Sequence, residues 1–151
     1  MTETYLRFIP ASPNFVPEFE TIDTAVTYFQ ENLLQAEKVD FRLTGHNEFV
    51  DSGALFERIH CPVCGHEIPV ESWDEMMERA YITQFQDTKI VSPCCKTEIS
   101  LNDLRYDRPQ GFARFVLETR MPEILNLPSD LQQNLEAILH TPLRLIWAQY
   151  E

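Results

Sequence analysis

The sequence predicts an α+β protein with a small cysteine-bearing lobe set into its middle. Two observations lead there. Strand–helix–strand patterns stand at both ends of the 151-residue chain, and all four cysteines fall between them. Two such end units can close into one antiparallel sheet with both helices on the same side, a ferredoxin-like βαβ…βαβ sandwich. A chain of this length buries roughly two thirds of the surface its unfolded form exposes, enough for one full core. Ten prolines against four glycines suggest stiff connections rather than flexible linkers.

"TYLRFI" (4–9) reads as a short strand ended by Pro10 and Pro13. From Thr21 the period changes, and Ile22, Ala25, Val26, Phe29 and Leu33 form one helical stripe. "VDFRL" (39–43) alternates as a half-buried strand does. The last third repeats this order, with "GFARFVLE" (111–118) as a strand and "MPEILNLP" as a proline-bearing loop. Ser129 is the expected N-cap of the following helix, with Gln132 completing a capping box. Leu131, Leu135, Ile138 and Leu139 make its apolar stripe, and "LRLIWAQY" (143–150) is the closing strand. "YLRFI" and "FARFV" also align with each other, as a pseudo-repeat requires.

Residues 1–54 and 106–151 are thus the expected α+β core, and 55–105 the inserted lobe. Within the lobe a helix is expected from Ser72 as N-cap with Glu75 in a capping box. Its core face would carry Trp73, Met76, Met77, Ala80 and Tyr81. "TKIVS" (88–92) reads as a strand, and "SLNDL" (100–104) as a turn capped by Ser100 and Asp103.

The cysteines carry the chemistry. In "CPVCG" two thiols separated by two residues can reach one ion because the chain between them turns back. Pro62 fixes the first bend, and Gly65 permits a positive φ where amides turn towards sulfur. This stretch resembles the first half of a zinc ribbon, in which four sulfurs stand about 2.3 Å from the metal. The second half departs from that pattern. Laid on the first knuckle, Ser92 takes the first ligand position and Cys95 the second, which leaves Cys94 one place out of register. Adjacent side chains of an extended strand point to opposite faces, so both can ligate only at a sharp bend, which Pro93 can supply. Three readings stay open: a zinc site of Cys61, Cys64, Cys94 and Cys95; a Cys₃His site using His66 or His60; and a redox role for the vicinal pair. Four thiolates would close the shell and favour a structural metal that staples a lobe with little core of its own. Lys96, directly after the pair, would offset their charge.

Twelve Lys and Arg against twenty-four Asp and Glu give a net charge of −12 with neutral histidines. That field repels phosphate backbones, so no nucleic-acid partner is expected. "MTETYLRFIP" lacks the features of a signal peptide, and no apolar run approaches the ~18 residues that span a bilayer. A cytoplasmic protein without membrane contact is the expectation. There, clustered cysteines bind metal or do redox chemistry more often than they form structural disulfides. No Ser-His-Asp order, phosphate-binding glycine loop or HExxH is present, so no catalytic residue is assigned.

The stretch "SPCCKTEISLNDLRYDRPQGFARFVLETRMP" resembles a group of uncharacterised bacterial proteins. They carry a Cys-Pro-x-Cys-Gly knuckle, then Pro-Cys-Cys-Gly, then Ser-Leu-Asn-Asp-Leu-x-Tyr-Asp-Trp-Pro-x-Gly-Phe-Ala-Arg-Phe. The matches are Cys61, Pro62, Cys64, Gly65, Pro93, Cys94, Cys95, Ser100 to Leu104, Tyr106, Asp107, Pro109 and Gly111 to Phe115. Lys96 stands where that group has glycine, and Arg108 where it has tryptophan. The resemblance implies that both vicinal cysteines belong to the site, and it brings no activity.

The polar run Asn102, Asp103, Arg105, Tyr106 and Asp107 is either a binding surface or the anchor between lobe and sheet. The function expected from all this is an acidic, zinc-stabilised protein-binding module, of the inhibitor or immunity type, for a basic protein partner. The alternative is a thiol- or metal-dependent enzyme using Cys94 and Cys95 or an open zinc site.

Overall fold

The computed structural model describes residues 2–151. In chain order its elements are β1 (Glu3–Pro10), α1 (Phe19–Asn32), β2 (Val39–Val50), β3 (Ile59–His60), α2 (Val70–Tyr81), β4 (Lys89–Val91), β5 (Glu98–Ser100), β6 (Arg105–Tyr106), β7 (Gly111–Met121), α3 (Leu131–Leu139) and β8 (Leu143–Tyr150). Four strands make one antiparallel sheet in the order β2–β7–β1–β8; β4–β5 is a small hairpin, and β3 pairs with the sequence-distant β6. The fold is α+β.

Strand alternation decides what each face of the large sheet holds. Leu6 and Phe8 of β1, and Phe115, Leu117 and Met121 of β7, point to the face covered by the helices. Against them lie Ile22, Ala25, Phe29 and Leu33 from α1 and Leu131, Leu135 and Leu139 from α3, all buried. The Phe8 and Phe29 rings meet edge to face at 5.6 Å. Full burial of each such side chain stabilises by about 1.5–3 kcal/mol, so this layer is the main source of core stability. The predicted stripes of both helices therefore face the core.

The second face is divided. At one end Arg7 of β1 bonds Glu118 at 2.8 Å and Tyr150 at 2.7 Å, while Arg42 reaches both Glu48 and Glu118. At the other end Ile9, Val50, Val116 and Ile146 form a small apolar patch, next to which the lobe packs. The lobe's own core is Ile59, Cys61, Ile68, Met76, Ala80, Leu101, Leu104 and Tyr106, joined to the sheet by Phe112. Phe49 and Phe112 of the sheet stand 5.2 Å apart, and Trp73 of α2 meets Phe49 at 5.8 Å.

Several local expectations are corrected. α2 begins at Val70 with Pro69 as N-cap and no side-chain cap, so Ser72 and Glu75 lie inside the helix. The fixed φ of Pro69 starts the turn, and its carbonyl accepts from the Trp73 amide at 3.1 Å. α3 is likewise uncapped by a side chain, with Asp130 at the N-cap position, and Gln132 donates to the Leu143 carbonyl of β8 at 2.9 Å. α1 starts at Phe19, two residues before Thr21. Tyr81 is 67 % exposed and leaves the core face of α2. Gln84 and Phe85 both take positive φ after that helix, and the Phe85 ring packs on Phe112 at 5.1 Å.

Candidate metal centre

The site grows from two short loops that repeat each other's backbone. In the first, β3 leads into Cys61, whose amide donates to the His66 carbonyl at 2.9 Å, while the Gly65 amide donates back to the Cys61 carbonyl at 2.9 Å. In the second, β4 leads into Ser92, whose amide donates to the Thr97 carbonyl at 2.9 Å, and the Lys96 amide donates to the Ser92 carbonyl at 3.0 Å. Gly65 has φ +78° and Lys96 φ +59°, so the same left-handed residue closes both knuckles. Ser92 thus stands where Cys61 stands, and Cys95 where Cys64 stands.

These loops bring four sulfurs together. The ligand atoms of Cys61, Cys64, Cys94 and Cys95 all lie within 4.8 Å of one another. Cys61 and Cys95 are 3.7 Å apart, and Cys64 and Cys94 3.2 Å. A tetrahedron with sulfur about 2.3 Å from its centre has edges of about 3.8 Å, so the four thiols match a single bound ion. All are free cysteines rather than disulfides. Cys94, the residue one place out of register, fills the corner that Ser92 cannot: it sits at the tip beside Pro93 and reaches Cys64.

Cys61 is fully buried, Cys64 and Cys95 half-buried, and Cys94 exposed. Hydrogen bonding sets their proton affinities. The Cys64 amide holds the Cys61 thiol below its usual range, against the cost of desolvation. The Ser92 hydroxyl, 3.0 Å away, and Thr97 pull Cys95 down to about 6. The His66 amide favours a Cys64 thiolate too, but hydrogen bonding with Cys94 and the crowding of the other thiols outweigh it and push Cys64 up to about 12. Such crowding is what a divalent cation relieves, because it replaces the shared protons. Lys96 is exposed beside the cluster. The Arg105 guanidinium lies over the first knuckle, where a Cβ on Gly65 would meet it at 3.7 Å.

The histidines divide. His60 turns away to pair with Asp107 at 3.2 Å. His66 Nδ1 comes to 3.3 Å from Cys64 Sγ but lies outside the group of four mutually close ligand atoms.

The polar run after the second knuckle anchors the lobe. Asn102 is buried, accepts from the Phe112 amide at 3.0 Å and from Arg144 at 3.3 Å, and donates to the Ala11 carbonyl at 3.3 Å. The Tyr106 hydroxyl donates to the Leu101 carbonyl at 2.8 Å and accepts from the Trp73 indole at 3.2 Å, and burial raises its pKa. Ser100 caps the turn at Leu101–Asp103 by accepting from the Asn102 amide, as expected, while Asp103 is exposed. Arg58 and His60 converge on Asp107.

One signal in the sequence went unread. Residues 59–68, "IHCPVCGHEI", and 90–99, "IVSPCCKTEI", share isoleucine, proline, cysteine, glutamate and isoleucine at equal spacing. Read as a repeat, they locate both β3 and the Ile90–Ile99 pair of the β4–β5 hairpin. Among the described residues no helix is long and apolar enough to cross a membrane. Compared with family models, with curated proteins and with solved structures, the chain matches none, so the reading of this site rests on its sulfur geometry.

Proposed function

We propose that the chain is a zinc-stabilised protein-binding module. A structural zinc on Cys61, Cys64, Cys94 and Cys95 staples the lobe, and the acidic surface meets a basic protein partner, in the manner of an inhibitor or immunity-type protein. The observation that carries this reading is the set of four thiols within 4.8 Å. An all-sulfur tetrahedral donor set suits zinc, with iron the competing ion. Four thiolates leave no open position for a water or substrate, which supports a structural role.

For the core, a ferredoxin-like assignment is supported by the strand order. Numbering only the four long strands, the sheet runs second, third, first, fourth, with every pairing antiparallel. A cysteine cluster of metal-binding geometry fits a reducing, cytoplasmic setting. A net charge of −12 supports fast capture of a cationic protein through complementary fields. The motifs shared with the bacterial group described above agree with this reading and add no activity to it.

The test is elemental analysis of freshly purified protein, with thiols counted before and after chelation. The expected result is one zinc per chain and thiols that react only after the chelator is added. Metal-free protein with several thiols reacting at once would overturn the zinc site. It would favour the second reading, a thiol enzyme, for which exposed Cys94 is the specific observation.

A further inference from the structure

We infer that the groove between α2 and the β4–β5 hairpin is the docking surface of this module, and that its occupant is a cationic, amphipathic segment of a protein partner. This assignment rests on the binding-module reading above and deepens it. The groove encloses about 500 Å³. That falls within the ~300–1,000 Å³ typical of ligand sites. Its floor is apolar, formed by Met76 and Ala80 of α2, Ile90 and Val91 of β4, and Pro93 of the metal loop. Its rim is charged, with Glu75, Asp87 and Glu98 outnumbering Arg79 and Lys89.

Three observations name the occupant. First, apolar surface stays open here: Val91 in the groove is 59 % exposed, with half-buried Ile90 beside it. Clustered exposed apolar groups with a polar rim mark protein-binding sites. Second, the field is negative. The outward side of α2 carries Glu71, Asp74, Glu75 and Glu78 against Arg79 alone, and Arg79 already lies 3.9 Å from Glu75. Third, floor and rim ask for different things of one segment, apolar side chains below and Lys or Arg above. A uniformly polar cation would leave the floor uncovered, and a uniformly apolar strand would desolvate the rim carboxylates without pairing them.

The wall formed by β4, Pro93 and β5 is shaped by the second knuckle, so docking depends on the metal loop. Removing the metal should therefore abolish binding to the groove.

The experiment measures fluorescence anisotropy at low salt with two labelled probes, a short amphipathic Leu/Lys peptide and its counterpart with every Leu replaced by Ser. The expected outcome is binding of the Leu/Lys peptide, with the Ser/Lys peptide about tenfold weaker. Val91→Ser and the exposed pair Glu75→Lys/Glu98→Lys should each weaken Leu/Lys binding by about tenfold. The charge-matched pair Asp23→Lys/Glu31→Lys on α1, far from the groove, should change it by no more than about twofold. If the remote pair weakens binding as much, or the Ser/Lys peptide binds as tightly, the groove assignment is overturned while the acidic-module reading stands. If the Leu/Lys peptide does not bind but immobilised poly-lysine retains the protein, the groove again fails alone. If neither is bound, the groove and the module reading fail together. Sedimentation that shows self-association lost in Val91→Ser would make a second copy of the chain the occupant and overturn the assignment.

Discussion

At the scale of single residues, the second knuckle repeats the backbone of the first. Ser92 keeps the backbone of a first ligand without its sulfur, and Cys94 supplies the sulfur from the tip, where the first loop has Val63. This makes a two-step prediction. On the proposed zinc site, Cys94→Val alone should abolish metal binding, and adding Ser92→Cys to it should restore one ion per chain, because the pair rebuilds the arrangement of Cys61 and Cys64. Competition with a chromophoric chelator measures both; failure of the double variant to recover would mean that the second loop does not share the first loop's geometry at the ion. Lys96 offers a second prediction. Its φ of +59° costs an L-residue about 1–2 kcal/mol that glycine does not incur. Set against glycine's larger entropy loss on folding, Lys96→Gly should raise stability by up to about 1 kcal/mol. Lys96→Gln, which alters charge alone, should not, and thermal melts of the two variants separate backbone from charge.

At the scale of elements, the joint between lobe and sheet is polar at its centre and aromatic around it. Asn102→Ala would strand the Phe112 amide, and an orphaned buried donor costs about 1–3 kcal/mol. Denaturant unfolding should show that loss for Asn102→Ala, while exposed Asp103→Ala stays within about 0.5 kcal/mol. This is also the scale at which the sequence was most and least legible. Stripes such as Ile22–Ala25–Phe29 and Leu131–Leu135–Leu139 were readable because burial repeats with the helical period. The capping boxes at Ser72 and Ser129 were misread because a cap motif is only local, and backbone or tertiary bonds took its place, to the Pro69 carbonyl in one case and to the Leu143 carbonyl in the other. The alternation of "VDFRL" located only the first part of β2, which runs on to Val50. A bulge intervenes: Thr44 is held by Arg114 of β7 and pairing resumes at Glu48 opposite Ala113. No pattern within one strand announces the partner that keeps it paired. The cysteine cluster was legible from spacing, whereas the turning of His60 away from it depended on Asp107, a long-range partner.

At the scale of the whole molecule, the two halves draw on different sources of order. The helix-covered sheet buries large apolar side chains on strands of eight to twelve residues. The knuckles rest on strands of two or three residues, and strand pairs this short are not stable in water unaided. Metal should therefore govern the lobe and leave the sheet standing. The chain has two tryptophans that report on the halves separately. Trp73 sits in the lobe against Phe49, Phe56 and Tyr106, and Trp147 packs on the helix-covered face of β8. In Trp147→Phe protein, a chelator should shift Trp73 emission to the red as its aromatic surroundings open to water. In Trp73→Phe protein, the same chelator should leave Trp147 emission unchanged, and its thermal transition should persist. If both reporters move together, the Asn102 and Phe112 joint couples lobe and sheet into one cooperative unit. The metal would then stabilise the fold as a whole, by mass action on a single unfolding equilibrium.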